Sequence, residues 1–191
     1  RKYAIVTGGS SGIGKAIAAE LLRLGASVCI VARDIERLHH ATEELKLISN
    51  KIDGFSCDVV LPEGRSAIAA FAEKRNASIL VNNVGTNIRK PLSEYTDEEL
   101  NTLFQTNLMS AIKLTRDLYP VLKSANGASV VNIGSVAGHI HIRTGAPYGM
   151  TKAALEQLTR NLAVEWASDG IRVNLVAPWY IRTPLVEPVL S

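Results

Sequence analysis

The sequence is poor in the features that define several classes of protein. Only two cysteines occur, Cys29 and Cys57, in apolar surroundings and without CxxC spacing. We therefore expect two buried thiols in a reducing compartment, and neither a disulfide framework nor a metal site. No apolar run approaches the roughly 20 residues of a membrane helix. The net charge is only +3, and Lys and Arg occur singly or in pairs, so we expect neither nucleic acid nor a membrane among the partners.

What remains is the composition of a globular domain. The 191 residues are 47% hydrophobic and 20% charged, which allows a real core and argues against disorder. The sequence has no repeat, low-complexity tract or linker, so we predict a single domain over residues 1–191. Because the chain begins at Arg1 and not at Met, we expect a trimmed N-terminus. The expected location is cytoplasmic, or organellar if a transit peptide has been removed.

Short β-branched runs alternate with longer stretches of helical spacing along the whole chain. The runs are Tyr3–Val6, Ser27–Val31, Ile79–Val81, Ser129–Ile133 and Arg172–Val176, with Gly54–Cys57 as a further candidate. The helical stretches are Ile13–Leu24, Ile35–Ile48, Pro62–Glu73, Asp97–Leu122 and Pro147–Trp166. Strands that alternate with helices indicate βαβ units with right-handed crossovers. The pattern predicts an α/β fold, a doubly wound (Rossmann) parallel sheet with helices on both faces.

A loop of small residues, Thr7–Gly14, follows the first strand and opens the first helix. Small residues let the backbone approach a pyrophosphate, and a helix N-terminus offers free N–H groups and partial positive charge to it. An ordinary tight turn would look the same, and one glycine loop is weak evidence. Its place at the first strand-to-helix junction favours dinucleotide binding.

The loop has the spacing TGxxxGIG, and from here the chain resembles the short-chain dehydrogenase/reductase family over nearly its whole length. Three segments resemble its tropinone-reductase-like members: Asn82–Pro91, Gln157–Trp166 and Pro184–Glu187. The resemblance implies a cofactor site at the loop, formed by Gly8, Ser10, Ser11, Gly12, Ile13 and Gly14.

The end of the second strand predicts which dinucleotide binds. In relatives that prefer NAD, an acidic side chain there holds the ribose 2′-hydroxyl, whereas this chain has Ala32 followed by Arg33. A guanidinium pairs with a 2′-phosphate, so we predict NADP(H). Two alternatives are that Arg33 is a solvated loop cation and that Asp34 takes the acidic role. Ser10 and Ser11 stand where many NADP(H)-dependent relatives carry a basic residue, which favours a moderate preference.

Further segments match the family's cofactor contacts. Asp58 and Val59 resemble the segment that meets the adenine ring, and Asn82 to Gly85 resembles its NNAG segment. Asp58 could equally form a turn and Asn82 a structural hydrogen bond, and either role is compatible with binding. Near the C-terminus, the segment that covers the nicotinamide in the family is matched by Pro178, Ile181 and Thr183.

Tyr148 and Lys152 have the spacing YxxxK. On a helix, side chains at i and i+4 share one face, and a neighbouring ammonium stabilises a phenolate whose pKa is ordinarily about 10. The pair is therefore suited to general acid–base chemistry. A packed tyrosine beside a solvated lysine would explain an isolated match equally well.

The resemblance adds Asn107 and Ser135, in the family's order and spacing, to this pair. It implies that Tyr148 protonates a carbonyl oxygen and Ser135 orients that oxygen. It further implies that Lys152 lowers the Tyr148 pKa and holds the nicotinamide ribose, and that Asn107 positions a water in a proton relay. We therefore predict a ketone–secondary alcohol oxidoreductase that uses NADP(H) and a small-molecule substrate.

The substrate pocket is the least defined part of the predicted site. Candidate pocket residues are Val136, His139, Thr144 and Trp179, the last in place of the family's usual Gly. The two histidines at 139 and 141 are equally well explained as solvated loop residues. Because family members continue beyond this length, we expect the chain to lack a C-terminal substrate-covering segment.

Two other functions remain open. A 3-oxoacyl-carrier-protein reductase shares every motif, and Arg89, Lys90 and Arg143 could serve a carrier protein or be surface charge. A non-catalytic NADP(H)-binding sensor would need the glycine loop but not the acid. Apolar residues on more than one face of the two longest predicted helices favour a homodimer or homotetramer, as the resemblance also implies.

Overall fold

The computed structural model describes residues 2–143, 145–183 and 187, and the predicted alternation of strands and helices is present in them. The strands are β1 (Tyr3–Thr7), β2 (Ser27–Ala32), β3 (Ile52–Ser56), β4 (Ile79–Asn82), β5 (Ala128–Ile133) and β6 (Ile171–Val176). The helices are α1 (Gly12–Arg23), α2 (Ile35–Lys46), α3 (Pro62–Lys74), α4 (Asp97–Phe104), α5 (Ser110–Ser124) and α6 (Ala146–Glu165). The predicted elements agree with these within a few residues at each end.

The strands of the described part form one parallel sheet in the order β3-β2-β1-β4-β5-β6. From β1 the chain builds outward to β3, then returns to β4 beside β1 and builds outward on the other side. This reversal separates the loops that leave β1 and β4, and it opens a crevice at the carboxyl ends of the strands. The predicted doubly wound parallel sheet is therefore confirmed.

Helices cover both faces of the sheet. On one face α1 and α2 bury Ala18, Leu22 and Leu38 against the inner side chains of β1 and β2. On the other face α3, α5 and α6 contribute a core whose fully buried members include Ile68 and Leu118. In the described part of the chain, no helix is both long enough and apolar enough to cross a membrane.

The stretch predicted as one long helix, Asp97–Leu122, is interrupted. The helix α4 begins with a capping box in which Thr96 accepts a hydrogen bond from the Glu99 backbone N–H. After Phe104 the chain makes a π turn over Gln105–Met109 before α5 begins. A π turn inserts an extra residue into the helix and commonly occurs at functional sites. Here it carries Asn107, whose exposed fraction is 1%.

A chain of buried polar side chains joins the sheet to α5 and α6. The amide of Asn82 on β4 donates to the Thr115 hydroxyl on α5 and to the Asn132 Oδ1 on β5, both at 2.8 Å. Asn132 in turn donates to the Thr159 hydroxyl on α6 at 2.9 Å, and Thr159 donates to the Leu155 carbonyl at 2.8 Å. Because each polar group has a partner, burial of this chain of residues is tolerated and ties four elements together.

Replacing Asn132 by Ala should lower the free energy of unfolding by about 1–3 kcal/mol, because the buried Asn82 and Thr159 each lose a hydrogen-bond partner. Urea denaturation of the purified variant measures the change. Asn174→Ala is the matched control, since Asn174 lies on the neighbouring strand β6 but is exposed. Equal stability of the two variants would contradict a role for the buried network.

Candidate active site

The glycine loop between β1 and α1 is built by close backbone approach. Gly8 has a positive φ of 63°, which favours glycine. A Cβ on Gly14 would lie 2.4 Å from the Gly8 carbonyl oxygen, so α1 packs directly beneath the loop only because this residue has no side chain. The first turn of α1 therefore lies against the floor of the crevice, where its unpaired N–H groups can meet an anion.

Asn83 fastens this loop to the end of β4. Its side-chain amide donates to the carbonyl oxygens of Thr7 and Gly8, both at 3.1 Å, and its backbone N–H donates to the Thr7 hydroxyl at 3.0 Å. Asn82 directs its amide into the core, which is the structural hydrogen bond that its sequence position also allows. Strand geometry explains the difference, because consecutive side chains of a strand point to opposite sides.

A cleft of about 390 Å³ runs along the carboxyl ends of the strands. Its walls bring together most of the predicted site: Gly8, Ser10, Ser11, Gly12, Ile13, Arg33, Asp58, Val59, Gly85, Ser135, Tyr148, Lys152, Pro178, Trp179, Ile181 and Thr183. Predicted residues that lie away from these walls are Gly14, Asn82, Asn107, Val136 and His139. Thr144 falls outside the described residues. A cleft of this size suits a small-molecule ligand.

Two ion pairs between arginine and aspartate side chains line the end of the cleft near β2 and β3. Arg33 Nη1 lies 3.4 Å from Asp58 Oδ2, and Arg37 Nε lies 3.3 Å from Asp34 Oδ2. Asp34 also caps α2, because its carboxylate accepts a hydrogen bond from the Arg37 N–H at 2.9 Å. This use of its carboxylate argues against the alternative in which Asp34 holds a ribose. The sequence analysis did not name Arg37 as a site residue. Its place in the first turn of α2, four residues after Arg33, could have indicated that it lies near the cofactor site.

The Arg33–Asp58 pair is mainly solvent-exposed on the arginine side, where 73% of the side chain is accessible. Exposed ion pairs contribute little to stability, so the guanidinium can turn to a competing anion at small cost.

At the other end of the cleft, Tyr148 and Lys152 project from the first turns of α6. The Ser135 side chain lies close enough to the Tyr148 hydroxyl to lower its pKa, and Ser135 Oγ accepts a hydrogen bond from the Ala137 N–H at 3.1 Å. Lys152 Nζ donates to the Ile133 carbonyl at 2.8 Å and lies 5.6 Å from the centre of the Tyr148 ring. One helix and the end of one strand thus present two hydroxyls and an ammonium to the same part of the cleft.

Burial dominates the ionisation of this group. The pKa of Tyr148 lies above its ordinary value because burial outweighs the hydrogen bond from Ser135 and the positive charge of Arg89, which both lower it. Burial also lowers the pKa of Lys152 to about 8. In this structure the Lys152 ammonium donates to the Ile133 carbonyl, and the lowering of the Tyr148 pKa by Lys152 that the resemblance implies stays a prediction.

Asn107 is held by the backbone of the loop that follows β4. Its Oδ1 accepts from the Thr86 N–H at 2.7 Å, and its amide donates to the Thr86 carbonyl at 2.8 Å and to the buried Thr151 hydroxyl at 3.4 Å. A Cβ on Gly85 would lie 3.5 Å from Asn107 Oδ1 and 3.6 Å from Lys152 Nζ. Asn107 therefore lies behind the cleft wall and close to Lys152.

The predicted pocket residues divide into two groups. Trp179 lines the cleft. Its ring packs edge-on against that of Tyr180, with 4.7 Å between the two ring centroids. Val136 and His139 belong to a turn beside the wall, and His139 Nδ1 lies 3.0 Å from Glu156 Oε2 on α6. Neither Val136 nor His139 lines the cleft, so their assignment to the substrate pocket stays a prediction.

The fold and the cleft together are those of a dinucleotide-binding α/β protein, and comparison with known proteins narrows the class. A family model described as short chain dehydrogenase matches residues 2–191. A tropinone reductase homolog of Arabidopsis thaliana is 48% identical over 195 residues, covering 100% of this chain and 73% of that protein. The chain therefore belongs to the short-chain dehydrogenase family of oxidoreductases. Within it, the chain is similar to the tropinone reductase homologs, one of which is named as chloroplastic and is 45% identical.

Solved structures agree with this membership. The L-sorbose reductase of Gluconobacter frateurii, solved with NADPH and L-sorbose, is 35% identical, with a TM-score of 0.92 over 96% of this chain and 71% of that one. A variant actinorhodin polyketide ketoreductase solved with NADPH is 32% identical, with a TM-score of 0.94 over 98% and 74% of the two chains. The present cleft suits a nicotinamide dinucleotide, because the glycine loop and the first residues of α1 line it together with Ser135, Tyr148 and Lys152.

The buried Lys152 makes a pH-dependent contribution to stability. Its folded pKa of about 8 lies below its ordinary value of 10.5, so between these values the unfolded chain binds more protons. The free energy of unfolding should therefore rise with pH in this window, by at most about 1.4 kcal/mol per pH unit. Urea denaturation of wild type and Lys152→Met at several pH values isolates this contribution as the difference between them. Lys74→Met, on an exposed position of α3, should show no such dependence, and a constant difference for Lys152→Met would contradict the low pKa.

Proposed function

We propose that this chain interconverts a ketone and a secondary alcohol with NADP(H), using Tyr148 as the general acid and base. The observation that carries the proposal is the joint placement of the Ser135 and Tyr148 hydroxyls and the Lys152 ammonium in one cleft with the glycine loop. When bound, the nicotinamide supplies or accepts the hydride. The similarity to reductases solved with NADPH supports the same reaction class.

The chain's own residues account for the proton. Tyr148 is kept protonated by burial, as an acid that must donate to a forming alkoxide requires. Ser135 lies beside the tyrosine hydroxyl and can donate its one proton to a substrate oxygen placed next to both. Lys152, with a pKa of about 8, can release or take up a proton near neutral pH, and the nearby Asn107 fixes the loop beside it.

The preference for NADP(H) rests on charge at the other end of the cleft. Ala32 adds no carboxylate at the end of β2, and Asp34 is occupied in capping α2. Arg33 and Arg37 both line the cleft, and each can leave a weak exposed ion pair for a 2′-phosphate. Because those pairs involve two carboxylates, we expect a moderate preference.

The alternatives remain distinguishable. Lys90, which could serve a carrier protein, forms a close ion pair with Glu99. A panel of cyclic ketones, keto sugars and a 3-oxoacyl thioester, followed by NADPH absorbance, separates these substrates. The cytoplasmic or organellar location and the homo-oligomeric state stay predictions.

Replacing Tyr148 by Phe should reduce turnover by at least about a hundredfold, because the proton donor is removed while the ring is kept. The dissociation constant for NADPH, measured by its fluorescence on binding, should change little. Tyr119→Phe is the matched control, since it removes a hydroxyl that bonds Asp169 at 2.5 Å far from the cleft. Turnover retained in Tyr148→Phe would refute the assignment of the acid.

Replacing Arg33 by Ala should lower the ratio of kcat/KM with NADPH to that with NADH by about tenfold, because a charge-assisted contact with the 2′-phosphate is lost. Steady-state kinetics with both cofactors measure the ratio. Arg23→Ala, an exposed arginine of α1 paired with Glu20, serves as the control. Higher efficiency of the wild type with NADH, or an unchanged ratio in the variant, would overturn the proposed cofactor choice.

A further inference from the structure

Arg65 is a charged side chain in the interior of the protein, and the proposed reaction does not use it. It lies in the first turn of α3 and only 5% of it is exposed. A buried guanidinium is costly unless its donors are satisfied. Here Nη1 donates to the carbonyl oxygens of Val59 at 3.1 Å and Val60 at 2.7 Å, and Nε donates to Asp117 Oδ2 on α5 at 3.2 Å.

The two carbonyl groups belong to the loop that forms one wall of the cleft. Its residues Cys57 to Val60, between β3 and α3, all line the cleft. A loop without strand partners depends on other donors for its backbone carbonyls. Arg65 supplies these donors from behind, on the side of the loop that faces α3.

The first turn of α3 also packs against Asp58, the residue that precedes Val59 in the same loop. A Cβ on Gly64 would lie 2.2 Å from the Asp58 carbonyl oxygen, so the helix backbone packs directly on it. The Asp58 carboxylate accepts from the Val60 N–H at 2.9 Å and pairs with Arg33. The position of the Asp58 side chain, which pairs with Arg33, therefore depends on where α3 holds this loop.

We propose that Arg65 is a positioning residue for recognition of the adenine half of NADP(H), acting through the Val59 and Val60 carbonyls on the wall that carries Asp58. This role rests on the proposed function and refines it. Arg65 itself touches neither the reacting atoms nor the phosphate; it sets the shape and charge of the surface that does.

If the role of Arg65 were purely structural, its replacement would mainly lower the stability of the whole protein. The contacts around Arg65 argue for a local effect instead. If Arg65 is replaced, Asp117 keeps a second partner, because Arg116 donates to its Oδ1 at 2.9 and 3.1 Å. The helix α3 keeps its apolar contacts through Ile68 and Ala72. The groups left without their donor are the two loop carbonyls, so the local effect should exceed the global one.

The test uses 2′,5′-ADP, which carries the adenine half and the 2′-phosphate but no nicotinamide, in isothermal titration with the purified chain. Arg65→Met should raise its dissociation constant about tenfold or more, and Arg65→Lys should have an intermediate effect because an ammonium lacks the planar fork. Arg116→Met is the matched control, since it removes a partner of the same carboxylate without touching the loop. Binding of reduced nicotinamide mononucleotide, which lacks the adenine half, should be unchanged in all three variants.

Several outcomes would overturn the inference. An Arg65→Met protein that melts cooperatively and binds 2′,5′-ADP as the wild type does would contradict it, as would equal weakening of both ligands. If Arg65→Met does not fold, Arg65→Lys decides: an unchanged dissociation constant refutes the role, and weaker binding at an unchanged melting temperature supports it. Wild-type protein that binds neither NADPH nor 2′,5′-ADP would instead contradict the proposed function and this role with it.

Discussion

The hydrogen bonds from Asn83 to the glycine loop are the interaction on which the rest of the cleft depends. Its side-chain amide connects the segment after β4 to the loop after β1, the adjacent strands at which the order of the sheet reverses. A reversal opens a crevice but does not by itself fix the loops beside it. Because the amide binds the Thr7 and Gly8 carbonyls, the loop, the N-terminus of α1 and the segment after β4 keep one arrangement.

The charged and titratable groups at the two ends of the cleft differ in their exposure to solvent. Tyr148 and Lys152 lie in a buried environment, where desolvation raises the tyrosine pKa and lowers that of the lysine. Arg33 and Arg37 are exposed and paired with carboxylates that a stronger anion can replace. The buried end of the cleft therefore disfavours charged groups, whereas the ion pairs at the exposed end can rearrange at small cost.

The sequence predicted the features that have a period or a spacing. Alternating apolar runs located the strands and helices, and YxxxK placed Tyr148 and Lys152 on one helical face, as the structure has them. The sequence did not decide orientation: Asn82 makes the structural hydrogen bonds that were one of its two expected roles, and Asn83, which the sequence analysis did not single out, lines the cleft instead. Arg65 had no signal at all, since an arginine in an amphipathic helix looks solvated until the tertiary packing of α5 against α3 is known.

The helix α5 with the π turn before it is the common support of these separate parts. The π turn presents Asn107 to the loop beside Lys152. Thr115 receives the amide of Asn82 and so joins the buried network beneath β4 and β5. Two residues later Asp117 faces α3 and holds Arg65. Side chains two positions apart on a helix point in different directions, so one helix can contact the sheet and, through Arg65, the loop that carries Asp58.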